Sequence, residues 1–139
     1  MKNQVTAHHE NDEIKYNIQV NSRQASIISL ALDMISRMEG GQLTWVFSMI
    51  PWKNTENINT AIPIIAHLQQ LLTGIDEGSL GIGNVSERSK IAYDLHQVIR
   101  HQLAIDRDTD EWNCDLSSVR QYGNEPLATI EKLQMNERV

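Results

Sequence analysis

The residues best able to do chemistry are gathered between Gly81 and His101. On a helix, Tyr93, Gln97, Arg100 and His101 stand three or four apart and share a face, while His96 and Arg100 form a second four-apart pair toward one side of it. An aromatic ring can stack on a base, and a guanidinium can hold a phosphate through parallel hydrogen bonds. Just ahead, Gly81, Gly83, Asn84 and Ser86 make a glycine-rich turn into that helix, where free amide protons favour an anion. Together these residues predict a pocket for a nucleotide-like ligand. The plainer alternatives are a solvated helix face with a half-buried tyrosine and a flexible connection between helices. Neither a P-loop nor a dinucleotide fingerprint is present, because Gly81-Ile82-Gly83-Asn84-Val85-Ser86 lacks the Lys-Ser/Thr ending and the third glycine.

Other chemistries find less support. The chain has five histidines, but His96 and His101 are five apart and fall on different helical faces, and no His-Glu-x-x-His occurs, so neither a metal nor another cofactor is expected. No Gly-x-Ser-x-Gly elbow marks a nucleophile, and no catalytic residue is assigned. Cys114, after Trp112, reads as a small buried apolar residue. The acidic run Asp106, Asp108, Asp110, Glu111 lacks the glycine and terminal glutamate of a calcium loop and reads as solvated. Trp45 and Trp52 flank Pro51 and are expected to close the core, with a partner surface as the alternative.

These groups need elements to position them. The alternation Ile14, Tyr16, Ile18, Val20 has the period of a strand with one buried face. Asn21, with Gln24 three later, predicts a capping box and a helix to about Glu39, with Ile27, Ile28, Ala31, Met34, Ile35 and Met38 on one face. Leu43 to Ile50 predicts a short helix stopped by Pro51. Ile58 to Leu72 suits a third, which either starts near Ile62 with Pro63 in its first turn or is kinked there. Ser86 predicts the cap of a fourth, with apolar face Ile91, Leu95, Val98, Ile99 and Leu103, running to about Asp106. Short strands are expected around Trp112 to Leu116 and Leu127 to Leu133. If the Leu127 segment pairs with the Ile14 segment, the result is an α+β fold with about four helices packed on a small antiparallel sheet of N- and C-terminal strands.

Composition bounds the setting. At 139 residues, with 40% apolar and 22% charged residues, the chain is expected to form a flexible tail over 1–12 and one α+β domain over 13–135. The net charge of −6 argues against general nucleic-acid binding. No apolar stretch is long enough to span a bilayer, the N-terminus reads as polar rather than as a signal sequence, and the single cysteine suits a reducing compartment, so a cytoplasmic location without membrane association is expected.

Ser22-Arg23-Gln24-Ala25, the run Ala92-Tyr93-Asp94-Leu95-His96-Gln97-Val98-Ile99-Arg100-His101, and Gly123-Asn124-Glu125-Pro126-Leu127-Ala128 resemble a group of small proteins encoded by tailed bacteriophages. The resemblance extends from about Ile18 to Glu131 and supplies a setting, the host bacterial cytoplasm, without an activity or a site. In that setting the expected function is a phage accessory protein that counters bacterial immunity. It would bind and sequester a nucleotide-like signal, without catalysis and as a homo-oligomer. The alternative is a protein–protein inhibitor of a host defence factor, using acidic residues to imitate nucleic acid; a nucleotide hydrolase is a third reading.

Overall fold

The computed structural model describes residues 13–75, 78–107 and 118–134. Among these, the elements are α1 (Ser22–Glu39), α2 (Leu43–Met49), α3 (Ile58–Thr73) and α4 (Glu87–Asp106), with 3-10 turns at Thr55–Asn57 and Ile82–Asn84. Local chemistry explains their limits. The Asn21 side chain accepts from the Gln24 N–H while the Gln24 side chain accepts from the Asn21 N–H, both at 2.9 Å, completing the expected capping box. Gly74 ends α3 in the left-handed conformation, φ 77°, and donates its N–H to the Gln70 carbonyl. Pro63 is the sixth residue of α3, so the helix loses only the bond to the Asn59 carbonyl and begins four residues before Ile62.

α1 packs chiefly against α4, and α2 against α3. Ser29 meets His96, and Glu39 at the end of α1 meets Ser86 at the start of α4, so the two helices run antiparallel. α4 is covered far beyond one face: Val98 and Ile99 are buried, and so are Ala92, Asp94, His96, Gln97 and Ala104.

The expected antiparallel sheet is absent among the described residues. The described part is helical, with no strand in it, which replaces the α+β expectation with an all-helical architecture. Residues 13–20 and 126–134 form neither helix nor strand, and no ladder joins them to another strand among the described residues. The C-terminal segment is instead anchored to α4 just ahead of the expected Leu127 strand: Arg120, Tyr122, Gly123 and Asn124 give their N–H groups to side chains of α4. An alternating pattern assigns side chains to faces, but a ladder also needs a free partner strand in register. The expected Trp112 to Leu116 strand, Cys114 and the 1–12 tail lie outside the described residues.

Burial is inverted relative to ordinary helix packing. Toward α4, α1 turns Ala25, Ser29, Asp33 and Ser36, all buried. Ile27, Ile28, Leu30, Ile35 and Met38 are exposed. The apolar face read from the sequence is therefore the outer one. α3 repeats the arrangement, with Gln69 buried and Ile64, Leu68, Leu71 and Leu72 exposed. Trp45 and Trp52, expected to close the core, are 39% and 41% exposed. The Trp52 indole N–H donates to the Phe47 carbonyl at 2.7 Å and its ring stacks on Phe47.

Candidate functional site

At the middle of the α1–α4 seam, the His96 imidazole lies 2.8 Å from both the carbonyl oxygen and the hydroxyl of Ser29 through Nδ1. The Ser29 hydroxyl in turn donates to the His96 carbonyl at 3.3 Å. Burial pushes the imidazole below its ordinary pKa, against the opposing pull of the Asp33 carboxylate and the Ser29 carbonyl. The neutral ring donates Nδ1–H to Ser29 and turns Nε2, which has no hydrogen-bond partner, toward Asp33 Oδ1 at 3.8 Å. Asp33 instead receives Arg37 Nε on both oxygens at 3.0 Å, and Arg37 Nη1 donates to Gln42 Oε1 at 3.0 Å.

Nearby, α4 holds the C-terminal segment. The Gln97 amide clamps the main chain of Arg120, donating to its carbonyl at 2.9 Å and accepting its N–H at 3.2 Å. The buried Asp94 carboxylate accepts the N–H groups of Tyr122 and Gly123, the shortest bond being 2.8 Å. Gly123 permits this approach, because a Cβ there would lie 2.9 Å from Ile91 Cγ1. The Tyr93 ring is half-buried against Tyr122 and His96 at centroid distances of 5.7 and 5.8 Å.

Tyr93, His96 and Gln97 thus form the inside of the molecule and bind its own chain. Arg100 and His101 are half-buried and already engaged in interactions. Gly81, Gly83, Asn84 and Ser86 are exposed at the start of α4. The anion that this helix terminus attracts is supplied internally: the Glu39 carboxylate accepts the Ser86 N–H at 2.6 Å, the Ser86 hydroxyl at 2.7 Å, and the hydroxyl of the fully buried Ser89. Hydrogen bonds from Ser89 first, then Ser86, hold the Glu39 carboxyl below its ordinary pKa. The helix-face residues Tyr93, His96 and Gln97 thus engage the chain itself, while the glycine turn lies exposed at the start of α4.

An open cleft lies elsewhere. It has a volume of about 650 Å3 and is lined by Gln42, Thr44, Trp45, His67, Gln70 and Gly78, among others, where α2 meets α3. Its size falls in the range of small-ligand sites. Trp45 offers a large aromatic surface, with the Arg37 guanidinium held 3.9 Å from the ring centroid. Buried Gln69 fixes the geometry by accepting the Leu43 N–H at 3.1 Å, which caps α2 from α3. Sequence reasoning singled out Trp45 but not Gln42, His67 or Gln70, because polar residues on two helices carry no spacing signal that joins them. Among the described residues, no three His, Cys, Asp or Glu side chains converge to hold a metal ion, and no helix is long and apolar enough to cross a membrane. Comparison of the chain with protein-family models, with curated proteins and with solved structures finds no match.

Proposed function

We propose that the chain is a non-catalytic binding protein that captures a nucleotide-like small molecule in the Trp45 cleft, acting as a phage accessory protein that withdraws an immune signal from its host. The observation that carries this reading is the cleft itself, in which an indole with a guanidinium over it stands among the amides of Gln42 and Gln70, the Thr44 hydroxyl and the His67 imidazole. A base can stack on such a ring, and the amides can both donate to and accept from its edge. The phage setting comes from the sequence resemblance. The binding residues differ from those expected on α4, since Tyr93, His96 and Gln97 are committed to the chain's own packing.

The test is to incubate the protein with a panel of cyclic and linear nucleotide signals, denature it, and identify what is released by mass spectrometry. Intact ligand is expected from the wild type, with capture weakened roughly tenfold or more by Trp45→Ala and also reduced by Gln70→Ala. Undiminished capture by both variants would remove the cleft from the reading, and recovery of a chemically altered ligand would make the protein an enzyme.

A second reading, inhibition of a host protein, is favoured by the outer face of α3, where Ile64, Leu68, Leu71 and Leu72 are exposed together. Of the acidic residues Asp106, Asp108, Asp110 and Glu111 that such an inhibitor could use, the structure describes Asp106, which is exposed.

A further inference from the structure

α1 carries an apolar stripe that nothing in the described chain covers. Ile27, Ala31, Ile35 and Met38 recur at four, four and three along its outer side, and Ile27 is 59% exposed. Ahead of this helix, residues 13–20 form neither helix nor strand, with Ile14, Ile18 and Tyr16 exposed by 77, 77 and 85%. As a strand, their alternation would place Ile14, Tyr16, Ile18 and Val20 on one side, and no strand among the described residues pairs with them.

We infer that both surfaces are covered by a second copy of this chain, with α1 against α1 across a two-fold axis and the two 13–20 arms paired antiparallel about Asn17. Three observations support this occupant. In the arm Ile14, Tyr16 and Ile18 are at least 77% exposed, and in the stripe Ile27, Ile35 and Met38 are 44 to 59% exposed, an apolar supply for the ~800 Å2 that each partner contributes to a stable interface. The stripe residues Ile27, Ala31, Ile35 and Met38 carry no charge, so two copies set no like charges against each other along it. Finally, the arm is self-complementary. Pairing about Asn17 sets Ile14 opposite Val20 and Tyr16 opposite Ile18, which keeps all four apolar side chains on one face and gives the arms' backbone donors and acceptors ladder partners.

The buried apolar set reinforces the choice of a copy over a foreign partner. Among the described residues, the large apolar side chains that are buried are Leu43, Val46, Ile65, Val85, Val98 and Ile99. The described helices bury few large apolar side chains and leave others in need of cover, and a second copy is present wherever the chain is. The inference holds whatever ligand the cleft takes.

The test begins with the molar mass of the full chain by light scattering and sedimentation over a concentration series. A dimer or an even-numbered higher assembly is expected, with reduction to monomer in Ile27→Glu/Ile35→Glu. A wild type that stays monomeric at tens of micromolar, or a folded double variant that keeps the wild-type mass, would overturn the proposal. Should the double variant fail to fold, single cysteines placed in a Cys114→Ser background still decide. Residue 17 meets its own copy on the axis, within disulfide reach, whereas two copies of residue 15 stand about 13 Å apart. Asn17→Cys is therefore expected to cross-link on mild oxidation and Lys15→Cys to resist it. Equal cross-linking of the two, or none at position 17, would overturn the arm pairing and the proposal with it.

Discussion

Across its seam with α4, α1 presents Ser29, Asp33 and Ser36; half a turn away, the same helix presents Ile27, Ala31, Ile35 and Met38 to the outside. The seam is buried, polar and almost fully hydrogen-bonded, and the outer face is apolar and bare. A polar seam adds little net stability for each bond it makes, but it punishes any misalignment, since a stranded buried donor or acceptor loses its full hydration. An apolar face has the opposite character: it gains with the area covered and tolerates many registers. The antiparallel α1–α4 pair is thus specified by directional contacts, while the less directional driving force is left on the surface for association.

Substitutions can break or sharpen that contrast. The largest effect is expected at Asp94, where Asp94→Ala removes the buried acceptor of the part-buried N–H groups of Tyr122 and Gly123; a loss of about 3 kcal/mol in urea unfolding is expected. A loss below ~0.5 kcal/mol would mean that the C-terminal segment contributes nothing to the polar interior. Gly123→Ala is expected to cost about 2 kcal/mol, because the new methyl meets Ile91 Cγ1 at 2.9 Å and the Ile91 backbone nitrogen at 3.1 Å.

The third expectation is a pH dependence. Because the folded His96 holds its proton less tightly than the ordinary 6.5, the unfolded chain protonates first as pH falls. This contribution is complete above 6.5, declines below it, and levels off once the folded imidazole titrates. Urea midpoints measured against pH should fall through this window and do so less steeply in His96→Asn. Glu39 adds a separate, more acidic loss that starts near its ordinary value of 4.5. An equal slope in wild type and variant would show that His96 is not the group responsible. The smallest effect belongs to the outside: Ile64→Ser, at an exposed position of α3, should change unfolding stability by no more than about 0.5 kcal/mol. A loss as large as that of Asp94→Ala would show that the apolar outer face, too, is packed in solution.

Much of the helical layout was legible from local signals. Asn21 with Gln24 placed the start of α1, Pro51 the end of α2 to within two residues, and Ser86 the start of α4, because caps and breakers act on their own turn. α3 was legible as a helix but not in its start, since a proline near a first turn suits two boundaries. The sheet was misread at Ile14 to Val20, where period two is a property of one segment and pairing is a property of two. The proposed α4 site shows the same limit: Tyr93, Gln97 and Arg100 do share a helix, but whether that face meets solvent depends on residues 118–124, which are remote in sequence.

The sequence by itself determined the four helices, the N-terminal caps of α1 and α4 and the apolar stripe of α1, since each follows from interactions within one turn or one helical face. Only the tertiary structure decided which way that stripe faces, that Glu39 rather than an outside anion occupies the start of α4, and that Trp45, His67 and Gln70 share a cleft. These depend on the pairing of distant segments, and a polar seam satisfied by exact partners can outrank an apolar stripe in choosing the inside.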